Sequence, residues 1–425
     1  MIKFTALPKV YFKTFGCRTN LFDTQVMIAN LKHYDLTQNE DEADIIVINS
    51  CTVTNNADSG VRNYINQVKR KNPDAKVYFT GCGVTTQGEM LFNDKSLDGV
   101  FGHSEKESID TMLAKEERFF EVGDLSHIDK TVVTEFVGKS RAFIKIQEGC
   151  DFECSYCIIP SVRGAARSLD EAVILEQVEM LALNGFSEFI LTGTNVGSYG
   201  RDKGTSIAEL LKKISLIKNV KRIRIGSLEP IQLDDDFMAL LGEPWMARHL
   251  HVALQHTHDD ILGAMQRRNT YPEDLKLFEM LASHGYALGT DFIVGFPGET
   301  DAIWEETMRR VEALPLTHIH AFTYSKRDGT PAATMQEQVR GDVAKARHKE
   351  LTALVKAKNI AFRKAHRTPL TVLIETEKEE KEGYVYSGFD QYFNKMEIHS
   401  NERMDTTWIT LDTYEIREEK NVAYL

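Results

Sequence analysis

Three cysteines occupy one short segment, EGCDFECSYC, at Cys150, Cys154 and Cys157. Thiolates are soft ligands, and three of them on a single loop can hold three irons of a cubane 4Fe-4S cluster while one iron stays open. The C-x3-C-x2-C spacing differs from the paired C-x2-C units of structural zinc sites, and no fourth Cys or His follows at a suitable distance. The segment therefore predicts an iron-sulfur cluster, with zinc as the weaker alternative.

The other three cysteines each come directly after a run of residues typical of a β-strand. Cys17 ends FKTFGC, Cys51 ends IIVINSC and Cys82 ends VYFTGC. Because parallel strands all end at one edge of a sheet, three residues far apart in the chain can converge there. We interpret them as one set of metal ligands. Three buried structural cysteines are the alternative, since free cysteine is often buried.

The chain has 425 residues and a net charge of -12. Its length favours two or three domains. The N-terminal residues show no basic segment followed by an apolar run, and no stretch approaches ~18 uninterrupted apolar residues, so we expect a soluble, cytoplasmic protein without membrane segments. That compartment keeps thiols reduced, which favours metal or redox chemistry over disulfides. The negative charge argues against a general nucleic-acid coat protein but leaves room for a local basic face.

The elements that must position these cysteines predict an α/β fold in three parts. In the first part, residues 1–125, strands alternate with helices, as is typical of a parallel α/β sheet. The strands are expected at 9–15, 44–49 and 76–80, and the helices at 21–31 and 57–70. A charged, weakly periodic stretch at 104–139 is expected to connect this part to the next.

The second part, residues 136–366, contains six further strand-helix units. This pattern predicts a partial (β/α)6 TIM-like barrel, which places its chemistry at the carboxyl ends of its strands. The strands are expected at 143–146, 188–191, 222–225, 251–254, 288–294 and 318–322. The residues just beyond these strands include Cys150, Asn195, Ser227, Glu229, Gln255, Pro297 and Tyr324.

The third part, residues 367–425, has the short strands TVLIE, YVYSG and WITLD, which predict a small β-barrel. Residues 369–425 hold six basic and thirteen acidic residues, poor material for binding phosphate. A helix expected at 342–366 precedes them, and eight Lys and Arg outnumber two acids over 341–367. A basic helix is most often a solvated face, and an RNA-facing surface is the minority interpretation.

A set of ordered segments resembles the methylthiotransferase family of the radical S-adenosylmethionine superfamily. These segments are TFGCRTN, NSCTVTNNAD, TGCG, RAFIKIQEGCDFECSYCIIPSVRGAARS, LTGTNVGSYG, RIGSLEP, LHVALQ, MQRRNT, DFIVGFPGET and YSKRDGTPAATM. The resemblance implies an N-terminal domain with a second 4Fe-4S cluster on Cys17, Cys51 and Cys82, a radical domain, and a TRAM-like RNA-binding barrel. It also implies that S-adenosylmethionine binds the open iron of the first cluster.

The resemblance further implies an enzyme that replaces the hydrogen at C2 of a modified adenine with a methylthio group by radical chemistry, because that C–H bond is out of reach of an ordinary base. Four segments, GCRTN, SCTVTNNAD, LTGTNVGSYG and RIGSLEP, are most similar to the branch that acts on N6-threonylcarbamoyladenosine next to the tRNA anticodon. The alternatives are isopentenyl-adenosine in tRNA, an aspartate of a ribosomal protein and, remotely, a non-catalytic iron-sulfur scaffold. The implied partners are the tRNA anticodon stem-loop, a low-potential electron donor and a sulfur donor.

The family resemblance also implies site residues. The expected S-adenosylmethionine contacts are Tyr156, Gly193, Asn195, Ser227, Glu229 and Gln255. Basic and polar residues at strand or loop exits are candidates for RNA contact, namely Asn20, Arg163, Arg167, Arg267, Arg268, Lys326 and Arg327. Asn20 could also form a hydrogen bond near the second cluster. Each of these residues could instead serve a structural role.

His256 and His258 stand where the family usually has a Ser/Gly-rich run. Two histidines two residues apart invite a metal-site interpretation, but histidines in a loop are more often hydrogen-bonded or exposed, and no third ligand is identifiable.

Overall fold

The computed structural model describes residues 7–136, 139–381 and 383–425. Residues 1–6, part of the N-terminal segment in which no leader is expected, lie outside the described ranges. None of the described helices is long and apolar enough to cross a membrane.

The N-terminal part is a six-stranded, fully parallel sheet in the order β2-β1-β3-β4-β5-β6. The strands are β1 Lys9–Thr14, β2 Asp35–Leu36, β3 Ile45–Ser50, β4 Lys76–Gly81, β5 Gly99–Phe101 and β6 Phe119–Glu121. The helices are α1 Arg18–Ala29, α2 Asn55–Lys71, α3 Glu89–Asn93 and α4 Ile109–Leu113. Every residue of β3 is buried, as expected for a central strand covered on both faces.

The three strands and two helices predicted here are confirmed. The stretch at 104–139 was predicted wrongly in part, because it contains α4 and the edge strand β6. With three residues, β6 is too short to show a periodic pattern in the sequence.

The central part confirms the partial barrel. Its strands are β7 Ala142–Glu148, β8 Arg167–Ser168, β9 Glu188–Gly193, β10 Arg222–Ile225, β11 His249–His251, β12 Ala287–Val294 and β13 His318–Thr323. Its helices are α5 Ile159–Arg163, α6 Glu171–Leu183, α7 Ile207–Ser215, α8 Asp235–Met238, α9 Asp259–Ala264, α10 Tyr271–Ser283 and α11 Asp301–Ala313. The sheets β10-β9-β7-β8 and β11-β12-β13 are joined by isolated parallel bridges from Ile223 to Met246 and from Leu228 to Val252.

The C-terminal part is a curled half-barrel preceded by the long helix α12, Gly341–Ala365. Its strands follow the order β17-β14-β15-β16-β19-β18. They are β14 Leu370–Glu380, β15 Gly383–Phe389, β16 Lys395–Ser400, β17 Trp408–Leu411, β18 Glu415–Ile416 and β19 Asn421–Tyr424. The half-barrel docks on β10, because Arg222 Nη1 donates to the Thr371 carbonyl at 2.8 Å.

Several basic side chains of α12 are engaged within the protein. Arg347 Nη1 pairs with Glu299 at 2.8 Å and is buried, and Arg363 Nη1 donates to the Asn421 side chain at 3.0 Å. Lys356 pairs with Glu418 at 2.8 Å and with Glu419, both of which precede β19. These contacts show that α12 is not simply the solvated face expected from its charge, because part of its basic surface binds other parts of the protein.

Helix α1 fixes the N-terminal sheet against the barrel. Phe22 and Val26 lie in the same hydrophobic core as Ile144 of β7 and Leu191 of β9, whereas Met27 packs in the core of the N-terminal part. Each such buried side chain stabilises the fold by about 1.5–3 kcal/mol. Because α1 begins directly after Cys17, this packing holds the carboxyl edge of the first sheet near the first barrel strand.

Candidate iron-sulfur and cofactor site

The first cysteine loop leaves β7 through a tight turn. Gly149 has a φ of +73°, and a Cβ at this position would lie 1.9 Å from the Ala165 carbonyl oxygen, so only glycine fits. The Cys150 amide donates to the Gly164 carbonyl at 3.1 Å. These contacts fix the start of the loop at the carboxyl end of β7, where a barrel places its chemistry.

Two side chains from other barrel loops donate hydrogen bonds to the sulfur atoms of this loop. Asn195 Nδ2 lies 3.6 Å from Cys150 Sγ, and Arg267 Nη1 lies 3.6 Å from Cys154 Sγ. Burial raises the pKa of the Cys157 thiol to about 12. The thiolate form in this setting needs nearby positive charge, which Arg267 and bound metal ions can supply.

The structure brings Cys17, Cys51 and Cys82 together at the carboxyl ends of β1, β3 and β4, which are neighbours in the sheet. A Cβ on Gly16 would lie 2.9 Å from Cys51 Sγ. Cys17 is exposed, Cys51 half-buried and Cys82 buried. Burial raises the pKa of Cys51 to about 11, and the neighbouring Cys82 and Cys17 also raise it. The three sulfur atoms are therefore close enough to influence one another, as predicted from the strand exits.

The donor chemistry of both cysteine sets fits an iron-sulfur cluster. Among residues 7–136, 139–381 and 383–425, three groups of His, Asp and Glu place their ligand atoms within 4.8 Å of one another, and no cysteine belongs to any of them. Each cysteine set offers three soft thiolate ligands, which suit a 4Fe-4S cluster with three protein ligands.

Arg163 links the second cysteine set to both domains. Its Nε donates to Cys82 Sγ at 3.3 Å, and its Nη2 pairs with Asp23 of α1 at 2.9 Å. Its Nη1 pairs with Glu148 at the end of β7. The side chain is 2% exposed. One guanidinium thus connects a cysteine of the N-terminal sheet to the strand that carries the first cysteine loop.

The partners of Arg163 belong to a larger buried ion network. Lys145 of β7 pairs with Asp23 at 2.6 Å, and Lys106 pairs with the same carboxylate at 2.5 Å. Burial alone would raise the pKa of Glu148, but Lys145 and Arg163 lower it below its ordinary value. Removing one partner of such a buried ion pair strongly destabilises the folded protein, because the other charge is left buried and unpaired.

The residues predicted to contact S-adenosylmethionine lie around the first cysteine loop. Asn195 accepts a hydrogen bond from Gln232 at 2.6 Å while it donates to Cys150. Glu229 pairs with Arg267, with Oε1 3.1 Å from Nη1. The carboxylate and the amide therefore lie beside two different cysteines of the loop.

The remaining cofactor candidates border the same region. Gly193 approaches β7 so closely that a Cβ would lie 2.7 Å from the Gln147 carbonyl oxygen. Tyr156 packs edge-on against Phe296 at 6.5 Å between ring centroids. Ser227 is exposed. Gln255 has a φ of +66°, an uncommon backbone conformation for a residue other than glycine and one that is often found at functional positions.

Most residues proposed for RNA contact face the interior. Asn20 is fully buried and donates to the Ser50 carbonyl at 2.8 Å. Arg327 is 6% exposed and its Nη2 lies 2.7 Å from Asp58, beside the Cys51 strand exit. Arg167 Nε donates to the His127 carbonyl at 2.7 Å.

Four of the RNA candidates therefore lie in contacts between domains or beside the cysteines, because they are buried and their polar atoms have protein partners. These four are Asn20, Arg163, Arg267 and Arg327. Lys326 and Arg268 are both exposed, and the guanidinium of Arg268 lies 4.4 Å from the centre of the Phe152 ring. These two remain available to a ligand.

His256 and His258 have hydrogen-bond partners within the protein. His256 is fully buried, and its Nε2 lies 3.2 Å from Glu299. His258 caps α9 by accepting from the Asp260 amide at 3.3 Å. The geometry supports the hydrogen-bonded alternative for both.

The sequence motifs did not predict the pair of Asp23 with Lys145 or the contact of Arg267 with Glu229. A charged residue inside a strand whose other residues are apolar, such as Lys145 in AFIKI, was the available signal. Such a lysine is almost never fully buried unless it is paired.

Arg267→Met tests the contact with Cys154. We expect the rate of S-adenosylmethionine cleavage to 5′-deoxyadenosine to fall about 10- to 100-fold, because outer contacts of a metal site typically have effects of that size. The matched control is Arg309→Met on α11, an exposed arginine. Chromatographic quantification of 5′-deoxyadenosine under reducing, anaerobic conditions measures both. Equal rates in the two variants would contradict a role for Arg267.

A six-stranded partial barrel with three cysteines after its first strand defines the class of radical S-adenosylmethionine enzymes. Residues 144–311 match the Radical SAM superfamily, and residues 9–102 match a family described as uncharacterized protein family UPF0004. The solved radical S-adenosylmethionine methyltransferase TsrM of Kitasatospora setae is similar in fold, with a TM-score of 0.60 at 15% identity and 77% of each chain covered.

Sequence relatives make the assignment narrower. A Helicobacter pylori (strain J99) protein, whose name suggests methylthiotransferase activity without giving a substrate, is 53% identical over 98% of this chain and 100% of its own length. The Rickettsia prowazekii threonylcarbamoyladenosine tRNA methylthiotransferase MtaB is 35% identical, with 80% of each chain covered. A Sulfurihydrogenibium tRNA-2-methylthio-N(6)-dimethylallyladenosine synthase is 34% identical, with 84% and 85% covered.

The chain belongs to the radical S-adenosylmethionine methylthiotransferase family. This confirms the family resemblance found in the sequence motifs, and with it an enzyme that transfers sulfur-containing groups to tRNA. The cofactors of this class are S-adenosylmethionine and 4Fe-4S clusters, and the cysteine sets described above fit the clusters.

Proposed function

We propose that the protein adds a methylthio group to C2 of N6-threonylcarbamoyladenosine next to the tRNA anticodon. The observation that carries the proposal is the meeting of two cysteine sets across the domain boundary, where Arg163 contacts Cys82 and the carbonyl of the next residue, Gly164, accepts from the Cys150 amide. Two open clusters facing one space suit a reaction that needs both a radical and a sulfur atom at one carbon.

The first cluster site is proposed on Cys150, Cys154 and Cys157, and the second on Cys17, Cys51 and Cys82. When bound, the cofactors supply the radical chemistry and the sulfur that protein side chains lack. Asn195 and Arg267 orient and partly neutralise the first sulfur set through their hydrogen bonds. Arg163 does the same for Cys82. The protein thus sets the position and charge of both sites.

The residues for cofactor binding are proposed at the same strand ends. Glu229 and Asn195 offer polar atoms next to the first loop, and Ser227 and Gln255 lie at the neighbouring strand ends. Closed contacts such as the Glu229–Arg267 pair hold these side chains in place before a ligand arrives, which reduces the ordering cost of binding.

The RNA surface is proposed around the accessible basic residues Arg268 and Lys326 near the barrel mouth. An anticodon stem-loop bound there would present a splayed base to the space between the cysteine sets. A tRNA substrate also implies a cytoplasmic location, and the reaction requires a low-potential electron donor and a sulfur donor.

A competition experiment between two modified stem-loops tests the proposed substrate. We expect the anaerobically reconstituted protein, given equal amounts of stem-loops carrying threonylcarbamoyladenosine and dimethylallyladenosine, to methylthiolate the first preferentially. Mass spectrometry of the digested nucleosides measures both products. Selective modification of the dimethylallyl nucleoside would instead assign the protein to the activity named for the Sulfurihydrogenibium relative.

A further inference from the structure

Three arginines from different parts of the chain surround one aromatic ring at the domain boundary. The guanidinium carbons of Arg18, Arg141 and Arg224 lie 5.7, 5.9 and 5.2 Å from the centre of the Phe393 ring. His249 adds a fifth group, with its ring centroid 5.1 Å from that of Phe393. We name Arg18, Arg141, Arg224 and Phe393 the arginine pocket.

The pocket lies beside residues of both proposed cofactor sites. Arg18 directly follows Cys17, a proposed ligand of the second cluster. On the barrel side, the His249 ring lies 6.5 Å from that of His251, whose Nε2 is 3.2 Å from Asp291, and Asp291 accepts from the Ser227 hydroxyl at 3.3 Å. Ser227 is one of the expected cofactor contacts. The arginine pocket therefore lies between the second cysteine set and the cofactor side of the barrel.

The positive charge of the pocket exceeds what its neighbours balance. Glu188 pairs with Arg224 at 2.8 Å, with Arg222 and, more distantly, with Arg141 at 3.7 Å, and Arg141 also pairs with Glu375. Within the described ranges, Arg18 makes no hydrogen bond or salt bridge, and its guanidinium contacts the face of the Phe393 ring.

The nearby aspartates have other partners. Asp291 lies 3.2 Å from His251 and 3.5 Å from His320. Asp390 accepts from the amides of Tyr392 and Asn394, inside its own loop. Neither carboxylate is hydrogen-bonded to the guanidinium of Arg18, so the excess positive charge stays in the pocket.

Buried polar atoms without hydrogen-bond partners belong to the same group of residues. Among the described residues, Nη1 of Arg224 and Nε2 of His249 are buried and have no hydrogen-bond partner, and Nη1 of Arg141 has only its 3.7 Å ion pair with Glu188. Arg224 is only 4% exposed. Buried polar groups normally have hydrogen-bond partners, so each buried group without one indicates a partner that is absent from the structure. Guanidinium groups bind planar carboxylates and phosphates through paired hydrogen bonds.

The loop that presents Phe393 is held in an unusual conformation. Phe393 has a φ of +66°, which is costly for a bulky side chain and persists where the surroundings impose it. Asp390 secures the loop by accepting from the Tyr392 and Asn394 amides at 2.9 and 2.8 Å. The C-terminal half-barrel thus presents a rigid aromatic ring to the space between the clusters.

We infer that the arginine pocket binds the carboxylate of the substrate's threonylcarbamoyl group. This inference rests on the proposed function and extends it, because it assigns the residues that distinguish an anionic N6 substituent from an apolar one. A dimethylallyl group offers no charge to the pocket and leaves its donors unpaired. An RNA phosphate is the other source of the same anionic chemistry.

The first test uses the full-length, cluster-loaded protein and needs no mutation. Anaerobic binding is measured for three stem-loops, which carry threonylcarbamoyladenosine, its neutral threoninamide analogue or unmodified adenosine. We expect the amide to bind about 10- to 100-fold more weakly than the acid, the range for hydrogen bonds between charged groups. Equal affinity for acid and amide would overturn the inference.

Protein variants separate the carboxylate from phosphate. Arg18→Met should lose the preference for the acid over the amide while keeping the affinity for the unmodified stem-loop. Arg141→Gln, far from Cys17 in the sequence, should reduce the same preference, and Arg309→Met should bind as the parent protein does. An equal loss of affinity for all three stem-loops in Arg18→Met would assign the pocket to a phosphate and overturn the inference.

The proposed function is tested by a different measurement, namely which nucleoside becomes methylthiolated. If the protein binds the acid more tightly than the amide but methylthiolates only the dimethylallyl nucleoside, the substrate proposal is wrong while the carboxylate preference is established. If it methylthiolates threonylcarbamoyladenosine and binds acid and amide equally, the substrate proposal stands and the pocket inference is wrong. Iron and sulfide contents, measured for each variant, show that the clusters are present in every comparison.

Discussion

Cys154→Ala is expected to abolish both the formation of 5′-deoxyadenosine and the methylthiolation of tRNA. Cys154 is the middle cysteine of the first set and accepts the hydrogen bond of Arg267. Loss of one of only three protein ligands should exceed the roughly 10- to 100-fold effect of losing an outer contact. Chromatography of the cleaved cofactor and mass spectrometry of the nucleosides measure the two outcomes in one reaction.

Cys17→Ala is the matched comparison, because it removes one ligand of the other set. It should still cleave S-adenosylmethionine but give no methylthiolated nucleoside, since the sulfur-donating site is lost. If Cys17→Ala and Cys154→Ala both stopped cofactor cleavage completely, the separation of roles between the two cysteine sets would be wrong.

Arg163→Met is expected to give the largest loss of stability among single substitutions at the domain boundary. The change removes one buried cation from Glu148 and Asp23. These two carboxylates then keep the lysines Lys145 and Lys106 as cationic partners. Removing one partner of such a buried network typically costs about 3–5 kcal/mol. Denaturant unfolding of the metal-free protein, followed by circular dichroism, measures the free energy without interference from the clusters.

Two variants serve as controls for this prediction. One keeps the positive charge at position 163, and the other changes an arginine on a distant exposed surface. Arg163→Lys keeps the positive charge but cannot reach Cys82, Asp23 and Glu148 together, so it should recover only part of the loss. Arg309→Met, on the exposed face of α11, should stay within about 0.5 kcal/mol of the parent protein. An Arg163→Met variant as stable as Arg309→Met would show that the network does not hold the domains together.

The sequence allowed most of the architecture to be predicted because its signals are local. Runs such as IIVINS and EFIL show buried strands directly, and the cysteines that follow FKTFG and VYFTG could be placed at strand ends without knowledge of the packing. The short edge strand β6 and helix α4 were missed, since neither is long enough to display a period.

The details of the site depended on contacts between distant parts of the chain. Arg163 was proposed for RNA contact because a basic residue in VRGAARS looks the same in sequence whether it faces solvent or a buried carboxylate. The meeting of Arg18 with Phe393 joins residues nearly the whole chain apart, and no local pattern reports such a contact. Charged residues inside apolar strands, as Lys145 in β7, are the one sequence signal that pointed to the buried network.

Two separate cysteine sets are proposed to hold one 4Fe-4S cluster each at a shared site. Iron and acid-labile sulfide should be counted in the anaerobically reconstituted protein and in two triple variants, Cys17/Cys51/Cys82→Ala and Cys150/Cys154/Cys157→Ala. We predict about eight irons per chain in the parent protein and about four in each variant. About four irons in the parent protein, retained in one triple variant and absent from the other, would show a single cluster and contradict the account.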